Sequence, residues 1–569
     1  MCAEACEQYC LCRDAEIFSC DYAIRLNSQN ALSVQDMRAN YQTAWPALCM
    51  AMFLLATFLP YSLYAQSVQA PAKAALHLVF VIDGLRPDSI SASETPVLFR
   101  LRGEGVTFDN SHSIFPTVTR VNASSLSSGM QPSHHGMMGN QVFIPVIDPA
   151  KAFNNDNFMP LLKLGEVTGG RVLLTPSMAE LMAEIGQRFV VLSSGSTGSA
   201  LLMAPRAPRG NGTVINGDFY PGVSVGWPAA VSDEVIKRFG PQPRKGGAKA
   251  NFNTAVDWSM QVLRDYVLPE LKPNVAYIWL TEPDHIQHAF GAGAPESLET
   301  IRNDDRNLGL VLDALDKMGL RERTNIMVVS DHGFGQTIYG VNVGQELIAG
   351  GFKSDDVVIA SSGQTVALHV KDRDPAKIAA MVAWLQKQAW TSVVFTAKGS
   401  GMAHEGHVAG TFALEFIHLG GNERSPDIVF TFPWSSARNR HGVQGTDYVM
   451  LTGGTTGPMD TTNAGHGSMS PWTVKNTMFA WGPDFKRGAR VRTPSSNVDV
   501  TPTILHLLGH PKASALDGRI LSEALVNGPD EEQVAIETRT LRVGRGSYKA
   551  ALQVTETGNK RYLDKSWRE

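Results

Sequence analysis

The sequence predicts an α/β protein with a mainly parallel central sheet flanked by helices and a smaller inserted α/β cap. Three observations carry that expectation. Apolar, β-branched and aromatic runs without alternation occur at Leu78–Ile82, Val275–Leu280 and Ile326–Ser330, as strands buried on both faces of a parallel sheet require. Helical patterns separate these runs, the alternation that builds crossover units. Each run is followed at its carboxyl end by an acid, namely Asp83, Asp284 or Asp331, and that end is where open α/β sheets bind ligands.

Composition narrows the class. With 569 residues, 43% hydrophobic and 18% charged, the chain can bury a large core. A formal net charge of −4 supplies no basic field for nucleic acid. The six cysteines, Cys2, Cys6, Cys10, Cys12, Cys20 and Cys49, all lie at the front. They have no downstream His or Cys pair at zinc-finger spacing, and the remainder of the chain has no cysteine for a disulfide.

Before the first strand, Ala47–Leu59 is an apolar run of 13 residues, shorter than the ~20 that span a bilayer. Pro60 ends it, and Ser62-Leu63-Tyr64-Ala65-Gln66 reads as a cleavage site after Ala65. Read from Met37, with Arg38 as the positive end, residues 37–65 form a secretory signal, so the main body is expected in the periplasm or outside the cell. Residues 1–36 are then either an upstream extension outside the true start or the cytoplasmic head of an uncleaved anchor. Only through this segment would the protein meet a membrane. The expected organisation is 1–65 extension and signal, 76–344 first part of the main domain with an insertion at about 141–270, 345–455 cap, and 456–569 last part and tail.

In order, Gln66–Ala75 is a small-residue linker and Leu78–Ile82 the first core strand, ending in Asp83-Gly84. Thr95–Gly105 reads as a helix with Pro96 in its first turn. Phe115–Ser125 ends in a small-residue helix start, and Gly129–Asn140 is a loop rich in Gly, His and Pro. Within 141–270 there are helical patches at Ser177–Arg188 and Phe252–Leu271, among Gly/Pro-rich loops near 206–227 and 240–248. Val275–Leu280 and Ile326–Ser330 are core strands around a helix at Leu298–Met318. The cap reads as strand Thr365–Val370, amphipathic helix Pro375–Gln388 and short strand Val393–Ala397. Asn476–Trp481 returns to core-strand character, Asn497–Leu505 opens a last helix, and the alternating tail from Glu537 reads as an edge hairpin.

The chemistry gathers at the strand ends. A single acid there commonly caps the next helix; three, two of them with histidines close by, point to metal. Asp284 and His288 are four apart, so a helical turn puts both on one face and within reach of one ion. Asp331 and His332 are adjacent and diverge around a strand tip. His466, in Gly465-His466-Gly467, is either a third imidazole ligand or a surface-loop histidine. Mixed carboxylate and imidazole sets suit zinc, with manganese or iron as alternatives. Two such metals are the usual device of phosphoryl transfer. Thr119 is read as the nucleophile, activated by metal coordination and by a helix N-terminus facing the anion; its plainer reading is an N-cap. Asn140 is a donor to a non-bridging phosphate oxygen or a turn residue after Gly139. His404 and His407 do not have zinc-protease spacing and receive no role.

As an ordered set these motifs resemble the alkaline phosphatase superfamily, in its nucleotide pyrophosphatase/phosphodiesterase branch. The matching residues are Val81-Ile82-Asp83-Gly84, Phe115-Pro116-Thr117-Val118-Thr119, His135–Asn140, Glu282-Pro283-Asp284 with His288, Ser330-Asp331-His332-Gly333, His466-Gly467 and Asn497–Thr503. The resemblance implies an alkaline phosphatase-like fold and two zinc ions. One would be held by Asp83, Thr119, Asp331 and His332, the other by Asp284, His288 and His466. It also implies a covalent phosphothreonine on Thr119, with Asn140 and the Thr119 amide stabilising the oxyanion. Relatives that act on nucleotides usually carry Phe-Pro-Asn after the nucleophile; here the run is Arg120-Val121-Asn122. That removes a stacking ring and offers a guanidinium to a second anionic group. The expected activity is therefore hydrolysis of a phosphodiester or pyrophosphate bond in a small-molecule substrate, with a phosphonate hydrolase, similar to phosphonoacetate hydrolase, or a phosphomonoesterase on the same fold as the alternative. The sulfatase branch needs a Cys or Ser converted to formylglycine, and no Cys follows Cys49.

Overall fold

Nine strands form the central sheet in the computed structural model, which describes residues 74–216, 226–243, 246–460 and 462–569. In chain order they are β1 (Leu76–Ile82), β2 (Val106–Phe108), β3 (Phe189–Ser193), β4 (Thr213–Asn216), β5 (Gly226–Trp227), β6 (Val275–Leu280), β7 (Thr324–Val329), β8 (Met478–Trp481) and β9 (Ala489–Val491). Their order across the sheet is β9-β2-β8-β7-β1-β6-β3-β4-β5. The run β7-β1-β6-β3-β4 is parallel throughout, and β8 joins β7 antiparallel.

Alternation of side chains explains why the central strands read as unbroken apolar runs. Val79 and Val81 of β1 enter one core, with Tyr277 and Trp279 of β6 and Met327 and Val329 of β7. Leu78, Phe80 and Ile82 enter a second core on the other face, with Ile278, Leu280, Ile326 and Val328. Both faces are covered, so neither can be polar. Helix α1 (Thr119–Ser128) and the helix Val500–Leu507 give Ala123, Leu126, Val500 and Ile504 to the first core. The helix Pro295–Lys317 gives Ile301, Leu308, Val311 and Leu315 to the second.

One expectation is corrected. The stretch 141–270 does not stand apart as an insertion: it supplies β3, β4 and β5, and β3 pairs with β6 along five residues, Phe189↔Val275 to Ser193↔Trp279. The helix expected over Phe252–Leu271 is present, α-helical at Asn253–Val262 and π-helical at Leu263–Leu271, where Pro269 has no N–H to donate.

The cap has its own five-stranded sheet, in the order Val357–Ser362, Thr365–Val370, Ile428–Thr431, Val394–Thr396, Phe412–Ala413. The helix Pro375–Leu385 packs on it through Ile378, Met381, Val382 and Leu385. The tail is a separate three-stranded antiparallel sheet, Glu537–Arg545, Tyr548–Thr557 and Lys560–Arg568, not a hairpin on the central sheet. Its Tyr548, Ala550, Leu552 and Leu563 share the apolar cluster of the cap. The N-terminal extension, the export segment and all six cysteines lie outside the described residues. Among the described residues no helix is long and apolar enough to cross a membrane.

Candidate active site

Three neighbouring strands deliver the acids to one place. The register pairs Val81 with Val329 and Ile82 with Leu280, so β7, β1 and β6 end side by side. Asp83 follows β1, Asp331-His332 follow β7, and Asp284 opens the helix α2 (Asp284–Phe290) after β6. Backbone contacts hold them: the Asp284 N–H donates to the Asp83 carbonyl at 3.0 Å. Gly84, at φ +69°, and His332 both donate their N–H to Asp331 Oδ1 at 3.0 Å. The indole N–H of Trp279 donates to Asp83 Oδ2 at 2.9 Å.

The histidines are oriented by the opposite ring nitrogen. Nδ1 of His288 lies 2.9 Å from the Ala464 carbonyl, Nδ1 of His332 3.0 Å from the Gly333 carbonyl, and Nδ1 of His466 2.9 Å from the Thr117 carbonyl. A carbonyl only accepts, so each Nδ1 carries a proton, which leaves Nε2 as the ring atom free to meet a metal. These Nε2 atoms turn toward the acids. His288 and His466 Nε2 are 3.4 and 3.3 Å from Asp284 Oδ1, and His332 Nε2 is 3.0 Å from Asp331 Oδ2 and 3.5 Å from Asp83 Oδ1. The rings of His332 and His466 stack at 3.5 Å. Two groups result, Asp83 with Asp331 and His332, and Asp284 with His288 and His466.

The donor atoms fit two cations. Asp83 Oδ1, Asp284 Oδ1, Asp331 Oδ2 and His332 Nε2 are buried and, among the described residues, have no hydrogen-bond partner. Orphaned carboxylate oxygens are costly in a protein interior unless a cation answers them. Burial, then the charges of Asp331 and Asp284, push the Asp83 carboxyl well above its ordinary range. Burial works the same way on Asp284, but His288 and His466 outweigh it and hold this carboxyl well below. Burial, then His332, lowers His466 to about 4, which keeps its imidazole in the neutral ligand form.

Thr119 is the first residue of α1, and the N-cap position is Val118, which makes no side-chain cap. The N-cap role for Thr119 therefore does not apply. Thr119 is buried. The turn before it is tied to both metal-type groups. Thr117 accepts from the Gly467 N–H at Oγ1 (3.1 Å) and donates to the Ser468 carbonyl (2.8 Å), which binds it to the His466 loop. Asn122 Nδ2 donates to the Val118 carbonyl at 3.0 Å, and its Oδ1 accepts from Asn497 Nδ2, which also reaches the Asp331 carbonyl at 2.9 Å. Gly467, at φ +114°, lets the loop pass where a Cβ would stand 2.2 Å from the Ser362 carbonyl.

Asn140 Oδ1 accepts the Arg120 N–H at 3.1 Å, which turns its Nδ2 away from that amide. The Asn140 N–H is held by Ser362 Oγ at 3.2 Å and its carbonyl by the Asn155 N–H at 3.1 Å. The Arg120 guanidinium is ion-paired to Asp156. Sequence reasoning missed Thr117, Asn122, Asn155 and Asp156. Asn122 stands inside the quoted motif, but Asp156 carries no local signal and arrives only through the fold.

Residues 77–441 match the model of the type I phosphodiesterase / nucleotide pyrophosphatase family. Ectonucleotide pyrophosphatase/phosphodiesterase family member 1 of Mus musculus is 24% identical over 266 residues, 46% of this chain and 24% of that protein. Venom phosphodiesterase of Naja atra is 23% identical over 259 residues, 45% of this chain and 26% of that protein. The chain thus spans about a quarter of the length of these curated relatives. Among solved structures, murine ectonucleotide pyrophosphatase/phosphodiesterase 5 in complex with AMP shares the fold, with a TM-score of 0.53 at 16% identity, over 79% of this chain and 99% of that one. With the family model matching more than half of the chain, residues 77–441 of 569, this protein belongs to the type I phosphodiesterase / nucleotide pyrophosphatase family.

Proposed function

We propose that the protein is a metal-dependent hydrolase that cleaves a phosphodiester or pyrophosphate P–O bond through a covalent phosphothreonine on Thr119. The observation that carries this reading is the convergence of orphaned carboxylate oxygens and Nε2 lone pairs from three strand ends and the His466 loop, on a threonine turn fastened to both groups. Asp83, Asp331 and His332, with Thr119, would hold one metal; Asp284, His288 and His466 would hold the other. Zinc suits these donors, with manganese or iron as alternatives. When bound, such ions lower the pKa of a coordinated hydroxyl or water and neutralise charge on the leaving and non-bridging oxygens.

The chain's own residues do the rest. Thr119 Oγ1 forms a bond to phosphorus while the bond to the leaving oxygen breaks, and that oxygen leaves as an alcohol or phosphate. Water then attacks phosphorus, the Oγ1–P bond breaks, and the hydroxyl of Thr119 is restored. Asn140 Nδ2 and the Thr119 N–H donate to the oxyanion, each donor worth about 10²–10³ in rate. The N-terminus of α1 favours the same anion. Water reaches the site on the side of His288, whose side chain is 46% exposed.

The substrate class is a small phosphate ester. A second reading, a phosphonate or monoester hydrolase on the same fold, draws on Arg120 in place of the stacking ring of nucleotide-cleaving relatives. Export from the cell belongs to this proposal and rests on residues 37–65.

Metal content, measured beside hydrolysis of bis(4-nitrophenyl) phosphate and 4-nitrophenyl phosphate, tests the proposal. The expected result is two zinc per chain with preference for the diester. Absence of tightly bound metal, with no turnover after metal is restored, overturns it. Little diester turnover with both metals present shifts the assignment to the second reading.

A further inference from the structure

A carboxylate stands beside the guanidinium of Arg120, the residue after Thr119. Arg120 Nη2 pairs with Asp156 Oδ1, and the two side chains are unequally placed: Arg120 is 14% exposed and Asp156 44%. The pair belongs to a closed ring of contacts. Arg120 N–H is held by Asn140 Oδ1, the Asn140 carbonyl takes the Asn155 N–H, and Asp156 returns to Arg120. Asn155 Nδ2 adds a bond to the Gly139 carbonyl at 2.9 Å. The Asp156 carbonyl receives the Gly198 N–H at 3.1 Å. The carboxylate is therefore set by backbone contacts on both sides, not left on a free loop. Arg120 directly follows Thr119 at the start of α1, so the pair is tied to the turn that carries Thr119.

We propose that Asp156 is a specificity-determining residue that selects singly charged phosphodiesters over doubly charged monoesters. This rests on the hydrolase reading above. Alone, Arg120 would be an uncompensated cation beside the phosphoryl site and would favour a dianion. Paired, the two charges cancel, and the more exposed partner is the negative one. An approaching anion meets the carboxylate first. A diester carries one negative charge whatever its alcohol, whereas a phosphate monoester carries nearly two above pH 7, because its second pKa is about 6. The extra charge is what the Asp156 carboxylate opposes. A unit charge a few ångströms away in a half-exposed setting shifts binding by roughly tenfold. The same carboxylate keeps Arg120 from serving a second anionic group on a phosphonate.

The test compares kcat/KM for 4-nitrophenyl phosphate and bis(4-nitrophenyl) phosphate in the zinc-loaded wild type, Asp156→Asn and Asp156→Glu. Both substrates release the same chromophore, and their ratio within one variant does not depend on the fraction of folded enzyme. Asp156→Asn should raise the monoester-to-diester ratio by roughly tenfold. Most of the change should come through the KM of the monoester, and it should shrink as salt is raised. Asp156→Glu, which keeps the charge, should return the ratio toward wild type. An unchanged or lowered ratio in Asp156→Asn, in a wild type active on the diester, overturns this inference alone. A zinc-loaded wild type that hydrolyses neither ester overturns the hydrolase reading and the inference with it.

Discussion

The two groups of ligand residues differ in what surrounds them. Asp83, Asp331 and His332 are all buried, while in the other group only His466 is buried, Asp284 is partly buried and His288 is exposed. Their charge balance differs too. The buried group sets two carboxylates against one imidazole, and Asp83 is pushed upward by burial and by its acidic neighbours. The open group sets one carboxylate between two imidazoles, and these hold Asp284 low despite its burial. The first group is therefore in strong need of a cation, whereas the second is partly compensated by its own imidazoles. On the proposed two-metal reading, the buried group would hold its ion beside Thr119 and the other group would hold a more exchangeable ion on its open side.

Substitutions can break this comparison, the largest effect first. Asp331→Asn in the buried group should lower kcat/KM on the order of 10³-fold or more. It should also remove one zinc per chain, and added zinc should not restore activity. Unchanged zinc content would contradict the assignment. Asn140→Ala should cost about 10² in kcat with both metals retained, as loss of one oxyanion donor does; loss of a metal together with rate would mean that Asn140 is structural. His288→Ala in the open group should cost about 10- to 100-fold at limiting zinc and recover with excess zinc. A loss that excess zinc does not reverse would erase the distinction between the groups. The smallest effect sharpens it: in metal-stripped protein, Asp83→Asn should raise Tm by a few degrees, because it removes a carboxyl whose ionisation is opposed in the fold by burial and by its acidic neighbours. In zinc-loaded protein the same change should lower Tm. A fall in both states would show that Asp83 is not under repulsion.

Much of this was legible in the chain, for identifiable reasons. Runs such as Val275–Leu280 announce themselves because both faces of β6 are buried, and the acids after β1, β6 and β7 fall where a parallel sheet converges its ends. Asp284 and His288 share a helix face once α2 forms. Other parts were not legible. Strand β3 is only five residues long and sits among turn-rich stretches, so tertiary pairing with β6 decides its place in the sheet. The third strand of the tail, Lys560–Arg568, mixes charges with Tyr562, Leu563 and Trp567, and its burial is intermittent. The tie from Asn122 through Asn497 to Asp331 joins residues hundreds of positions apart, and no spacing rule reports such a contact. Asp156 is the sharpest case, since its meaning exists only beside Arg120.

The most direct test of the account is to quench the zinc-loaded enzyme in acid during turnover of a phosphodiester and map the modified peptide by mass spectrometry. The account predicts a phosphoryl group still carrying the retained ester substituent on Thr119, absent from Thr119→Ala, while that variant keeps two zinc per chain and loses turnover. Phosphorylation at another residue, or substantial turnover by Thr119→Ala, would contradict it.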